Sequence, residues 1–115
     1  MQVNSERLVS SMKQMSEIGF VSKEEGINRL ALNESDKKAR DLFAQWLKDE
    51  GLHVRIDPIG NIVGIREGCS GLEDPVVMGS HLDTVSQGGA FDGAIGVLGG
   101  LEVIRTLNDQ GVVTE

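Results

Sequence analysis

Leu8, Met12 and Met15 recur at helical spacing behind Asn4 and Ser5, two residues able to cap, so a first helix is predicted over 4–17. Gly19 and Gly26 then bracket an irregular stretch. The clearest helical pattern covers 36–50, where Ala39, Leu42, Phe43, Trp46 and Leu47 fall on one stripe. Ser35 can cap its start; Gly51 supplies a left-handed end, with Leu52 as the hydrophobic contact that follows it. Trp46 reads as a core residue. The period then drops to two. Leu52, Val54 and Ile56 alternate with His53, Arg55 and Asp57, as in a half-buried strand. Asp57-Pro58-Ile59-Gly60-Asn61 has turn chemistry, and a second strand over 61–66 completes a hairpin. On that pattern His53 is a solvated strand histidine.

Residues 67–74 read as a Gly-rich loop. Pro75-Val76-Val77-Met78-Gly79 is a short unbroken apolar run, which suits a strand covered on both faces of a parallel sheet. Residues 80–93 are polar and glycine-rich. A last helix is predicted over 93–109, with a broad apolar face from Ile95, Leu98, Leu101 and Val103 to Leu107, ended by Gly111. Strand, loop and helix form the first part of a right-handed crossover to another parallel strand. That partner would begin near Val112 or Val113, so the architecture is expected to be cut off within a unit.

Composition narrows the class. With 115 residues the chain has room for one small domain. At 39% apolar and 25% charged residues it can form a core and is not a disordered chain. A net charge of −7 argues against nucleic acid and anionic membranes as partners. A single cysteine, Cys69, excludes an intrachain disulfide and a thiolate metal cluster; within Glu67-Gly68-Cys69-Ser70-Gly71 it reads as a loop thiol. Residues 1–10 lack a basic region followed by an apolar stretch, and no apolar run is long enough for a membrane span, which predicts a cytoplasmic protein.

The candidate chemistry lies in Gly79-Ser80-His81-Leu82-Asp83-Thr84-Val85-Ser86-Gln87-Gly88-Gly89-Ala90-Phe91-Asp92-Gly93. It follows a predicted strand and precedes a helix, where open α/β sheets place their ligands. Imidazole with carboxylate is the donor set of zinc, manganese and cobalt. In an extended His81-Leu82-Asp83, residues i and i+2 share a side, so Asp83 can accept the second ring N–H of His81 and fix its tautomer. Asp92, at the helix start, faces the positive end of the helix dipole, and an ionised carboxylate there can bridge two cations. A serine hydrolase built on Ser80 or Ser86 lacks the G-x-S-x-G elbow. Phosphate-cradling glycine motifs are absent. A polar loop with a capping Asp92 and no ligand is the other reading, and residue chemistry alone leaves it open against the metal site.

The whole string, Gly-Ser-His-Leu-Asp-Thr-Val, then Gly-Gly, then Phe-Asp-Gly-Ala-Ile-Gly-Val, resembles the first metal motif of the hydantoinase/carbamoylase-type amidases, a branch of the zinc aminopeptidase- and carboxypeptidase-like metallohydrolases. The likeness extends upstream to Gly26-Ile27-Asn28-Arg29-Leu30, similar to the family's substrate-side segment, to Ala39-Arg40-Asp41-Leu42 in its second helix, and to Asp57–Asn61 with Gly64 in its hairpin. The resemblance implies an α/β fold, the first part of a three-layer domain with helices packed on a mixed, mainly parallel sheet. It implies two divalent metal ions, zinc or manganese with cobalt as a further option. His81 then matches a ligand to one ion, Asp92 the carboxylate bridging both, and Asp83 the catalytic-site carboxylate behind the histidine. The implied reaction is metal-assisted hydrolysis of linear C–N bonds in small molecules such as N-carbamoyl-L-amino acids, allantoate or β-ureido acids.

The family's adjacent Glu-Glu-Gly motif follows the last helix, and further histidine ligands and a dimerisation domain come later. Glu24-Glu25-Gly26 has the right letters in the wrong place and reads as solvated loop charge. Residues 1–115 would thus be the N-terminal part of a metal-binding catalytic domain from a homodimeric enzyme, inactive alone. The remaining reading is a non-catalytic remnant or interaction module. The last helix and the run at 75–79 are expected to leave apolar surface uncovered.

Overall fold

The computed structural model describes residues 1–71 and 74–115. Helix α1 spans Ser5–Glu17, strands β1 and β2 span Phe20–Ser22 and Gly26–Ile27, and helix α2 spans Glu34–Asp49. Strands β3 (His53–Ile56) and β4 (Ile62–Ile65) form the expected hairpin, and helix α3 spans Ala94–Asp109. The loop expected over 67–74 includes Leu72 and Glu73, which lie outside the described residues.

Helix α1 begins as its sequence predicts, with the Asn4 side chain accepting the Arg7 N–H. Helix α2 starts two residues earlier than predicted. Its cap is Asn33 rather than Ser35: Asn33 Oδ1 accepts the Asp36 N–H at 2.8 Å. The Asp36 carboxylate reaches back to the Leu32 N–H at 2.9 Å, which holds Leu32 at a positive φ of 70°. The end of α2 follows the sequence reading. Gly51 adopts φ 79°, Gly51 N–H donates to Lys48 O, and Leu52 N–H donates to Leu47 O, the pattern of a Schellman motif.

The bracketed stretch after α1 is not irregular. It is a two-stranded antiparallel ribbon, β1 with β2, extended by an antiparallel bridge between Ile27 and Gly88. The β3–β4 ladder pairs His53 with Ile65 and Ile56 with Ile62. Helix α2 packs on that hairpin, and α1 packs on α3. One core joins Met12, Met15, Ala39, Leu47, Leu52, Leu82, Ala94, Val97, Leu98 and Leu101, with Trp46 half-buried against it.

Helix α3 differs from its predicted face. Its buried side carries Ala94, Val97, Leu98 and Leu101, together with Glu102, Arg105 and Thr106, whereas Ile95 and Val103 are exposed. The charged pair is buried because each member has a partner on another element. Arg7 of α1 grips Glu102 with two hydrogen bonds of 2.9 and 2.8 Å. Arg105 donates to Ser11 of α1 and to Glu50 beyond α2, and lies 5.6 Å from the Trp46 ring centre.

The run at 75–79 carries no ladder. The sheets among the described residues are two antiparallel ribbons, so the parallel pairing expected for this run is not formed. No segment of the described chain meets its backbone edge, and Val76 is 94% exposed. The run still follows α3. A Cβ added at Gly100 would stand 3.5 Å from Met78 Cβ, one at Gly96 2.7 Å from Ser80 Cβ, and one at Gly93 2.4 Å from His81 Cε1. Seven helical residues rise about 10.5 Å, and three extended residues cover about 10 Å. Residues 78–81 therefore lie extended and antiparallel along one row of the helix.

Candidate functional site

That antiparallel course delivers His81 to the start of α3, where the extended backbone splits its side chains between two sides. Leu82 and Thr84 enter the core, while His81 and Asp83 keep 51% and 43% of their side-chain surface exposed. The two groups expected to act chemically thus share the open side, as the spacing requires.

The His81 ring is oriented by its neighbour two residues on. Its Nδ1 lies 2.9 Å from the Asp83 backbone carbonyl and 3.4 Å from Asp83 Oδ1. A carbonyl oxygen only accepts, so in the neutral ring Nδ1 carries the proton and Nε2 the lone pair. The sequence argument assigned this role to the Asp83 carboxylate. The nearer acceptor is the Asp83 main chain, with the carboxylate beside it.

Asp92 is the chain neighbour of Gly93, the residue against which the His81 ring lies. Gly93 precedes α3 with φ 68° and makes no side-chain cap. Its missing side chain is occupied by the histidine, since a Cβ there would fall 2.4 Å from His81 Cε1 and 2.5 Å from Nδ1. Asp92 sits one residue before this contact, exposed, and its carbonyl accepts the Ala94 N–H at 2.7 Å. No hydrogen bond from the helix engages its carboxylate, so the reading of Asp92 as a cap is not realised.

Beneath the site lies a residue that sequence reasoning passed over. Arg29 is 1% exposed. Its Nε donates to Leu82 O at 2.7 Å, and Nη1 donates to Met15 O and Ile18 O at 2.9 and 2.8 Å. Its main chain holds Thr84 from both directions. Thr84 N–H donates to Arg29 O at 2.7 Å, and Arg29 N–H donates to Thr84 Oγ1 at 2.9 Å. Among the described residues no carboxylate pairs with the guanidinium directly. Burial lowers its pKa, and the fields of Asp36 and Asp83 oppose that shift. The signal in the sequence was an arginine set between Ile27 and Leu30 with no acidic residue at strand spacing.

The donors fit a divalent cation in part. A fixed imidazole nitrogen and a nearby unengaged carboxylate are the N/O set that zinc, manganese and cobalt accept. Among the described residues no group of three or more His, Cys, Asp or Glu side chains converges on one point. A catalytic zinc site has three protein ligands, so these residues supply a portion of one. His53 stands exposed on β3 opposite Ile65. Glu24 and Glu25 are exposed in the β1–β2 turn, and Cys69 is exposed. Ser80 packs beneath Gly96, and among the described residues neither Ser80 nor Ser86 bonds to His81. No helix among the described residues is long and apolar enough to cross a membrane.

Comparison with known proteins gives a consistent picture. Residues 61–115 match Peptidase family M28. The chain is 41% identical over 113 residues to an N-carbamoyl-L-amino-acid amidohydrolase of Pseudomonas sp., covering 98% of this chain and 27% of that protein. It is 31% identical over 102 residues to allantoate deiminase 1 of Glycine max, covering 88% of this chain and 21% of that protein. A crystal structure of a hydantoinase/carbamoylase family amidase from Burkholderia ambifaria superposes with a TM-score of 0.95 at 48% identity, covering 99% of this chain and 28% of that one. The chain spans about a quarter of the length of the proteins it matches.

Proposed function

We propose that this chain, a relative of the hydantoinase/carbamoylase-type amidases over nearly its whole length, carries the first part of a two-metal site that hydrolyses linear C–N bonds in small molecules. The observation that supports this most is the His81 ring, oriented by Asp83 and seated against Gly93, the residue that follows Asp92 in the chain, within a fold that matches an amidase of that type. In this reading His81, through Nε2, and Asp92 would hold the metal ions. Zinc and manganese both suit the donors, with cobalt a further option. Ions held there supply an activated water and a polarised carbonyl. The chain's own contribution is to keep His81 in the Nδ1–H tautomer through Asp83, to seat its ring against Gly93, and to leave His81 and Asp92 exposed. Residues 1–115 are then the N-terminal part of the catalytic domain. The other ligands, the general base and a dimerisation domain come from sequence outside it.

N-carbamoyl-L-amino acids are the proposed substrate class. Identity to the Pseudomonas carbamoyl-amino-acid hydrolase is 41%, against 31% to the soybean allantoate deiminase. The test has two parts. Residue-resolved NMR broadening by Mn²⁺ is expected at 81–93 and lost in His81→Ala; broadening spread over the acidic surface instead would overturn the metal reading. Ammonia release from N-carbamoyl-L-amino acids, with zinc or manganese added, is expected to be nil for the chain alone. Metal-dependent turnover that His81→Ala abolishes would refute the assignment of the remaining ligands to sequence outside these residues.

A further inference from the structure

Arg29 is joined to the site by three hydrogen bonds. Three of its groups hold the residues that alternate with His81 and Asp83. The guanidinium Nε–H binds Leu82 O, the main-chain carbonyl binds Thr84 N–H, and the main-chain N–H binds Thr84 Oγ1. A further nitrogen, Nη1, binds Met15 O and Ile18 O at the end of α1. The carbonyl that orients His81 belongs to Asp83, which lies between Leu82 and Thr84. Fixing both neighbours fixes the direction of that carbonyl.

We infer that Arg29 is a positioning residue: by clamping Leu82 and Thr84 it aims the Asp83 carbonyl at His81 Nδ1 and so sets the ring with Nε2 bare. The alternation explains why one buried side chain can do this. The even-numbered residues carry the anchorage and the odd-numbered ones the chemistry, so a bond to either even residue is felt one residue away. Only an arginine meets the geometry. Its fork donates to Leu82 in one direction and to the end of α1 in the other, which a lysine ammonium on a flexible stem does not reproduce. The importance of the ring orientation for catalysis rests on the proposed metal site; the orientation itself does not.

The experiment reads the ring directly. The protein has two histidines, and exposed His53 serves as an internal reference. Ring ¹⁵N spectra at a pH where both are neutral are expected to show His81 as the Nδ1–H form. Arg29→Met, Arg29→Lys and Thr84→Val are each expected to move it towards the Nε2–H form. Arg105→Met breaks a buried network of α3 away from residues 82–84, and should lower stability while leaving the tautomer in place. A folded Arg29→Met or Thr84→Val protein that keeps the Nδ1–H form would overturn the inference, as would an equal shift in Arg105→Met. Should Arg29→Met fail to fold, Thr84→Val and Arg29→Lys carry the test. Mn²⁺ broadening at 81–93 gives the second readout, with apparent affinity expected to fall about 10-fold or more in Arg29→Lys. If the wild-type chain shows no localised broadening but the tautomer follows Arg29, the metal reading fails and the positioning role stands.

Discussion

Alanine substitution along the glycines of α3 should change sign with position, because each glycine meets a different neighbour. Gly99 meets nothing within 4 Å, so an added methyl gains the helix preference of alanine, about 0.8–1 kcal/mol, without cost. At Gly100 the methyl would stand 3.5 Å from Met78 Cβ, an ordinary contact, and Gly100→Ala should fall between neutral and stabilised. At Gly96 it would come within 2.7 Å of Ser80 Cβ. Overpacking of about 1–3 kcal/mol then outweighs the propensity gain, and the variant loses up to about 2 kcal/mol. Gly93 adds backbone strain to the clash, since φ is 68° and the methyl meets His81 at 2.4 Å. About 1–2 kcal/mol for the left-handed backbone and about 1–3 for the clash give a loss of about 2–5 kcal/mol. Urea unfolding followed by helical circular dichroism and by the fluorescence of Trp46, the single tryptophan, tests the order. A change of 1 kcal/mol moves the midpoint by about 0.3–1 M. Midpoints should descend from Gly99→Ala through Gly100→Ala, wild type and Gly96→Ala to Gly93→Ala. Stabilisation by Gly96→Ala equal to that of Gly99→Ala would refute the placement of residues 78–81 along the helix.

Three further outcomes follow from local contacts. Asn33→Ala should cost about 1 kcal/mol, against at most about 0.5 for Ser35→Ala, because Asn33 makes the capping bond of α2; equal urea midpoints would refute that cap. Arg7 hydrogen bonds hold the Glu102 carboxyl below its ordinary value of 4.5, so its contribution is complete above that pH and is lost as pH falls through the lower folded value. Wild type should therefore exceed Glu102→Gln by about 1.5–3 kcal/mol at neutral pH, with the gap closing in acid; a gap unchanged from pH 7 down to acid unfolding would contradict it. Val76→Lys, at a side chain 94% exposed, should leave stability within about 0.5 kcal/mol and lower light scattering at high concentration, and unchanged scattering would show that this strip does not drive association.

What the sequence made legible was local. The three helices and the β3–β4 hairpin follow from periodicity and end signals contained within a few residues, as Gly51 with Leu52 shows. The start of α2 was misplaced because Asn33 and Ser35 are both good caps, and the choice was made by Asp36 reaching back to Leu32. The α3 face was misread because Glu102 and Arg105 look solvent-facing until Arg7 and Ser11 are placed opposite them, 95 and 94 residues away in sequence. The β1–β2 ribbon was hidden for the same reason. Its strands are three and two residues long, and part of its pairing is with Gly88. Of the site, His81, Asp83 and Asp92 were visible as donors; the pairing of His81 with Asp83 was legible from their i, i+2 spacing, and Asp92 was joined to them by the likeness to a family. Gly93 as the seat of the imidazole, and Arg29 beneath it, depend on packing that no spacing rule contains.

The site is therefore built from its buried side outward. A guanidinium taken out of water must be satisfied by hydrogen bonds, and Arg29 finds its acceptors in the main chain of two segments far apart in sequence. One side chain thus ties the end of α1 to the extended segment 82–84. The arrangement leaves a positive charge in the core beneath residues that offer donors to a cation. A cation above a bare guanidinium would be repelled. The field of Asp83 already favours charged Arg29. The same residue thus offsets the buried charge on one side and orients the imidazole on the other. That double duty accounts for an aspartate at this position, where the closest contact to His81 is made by the backbone and any residue could supply it.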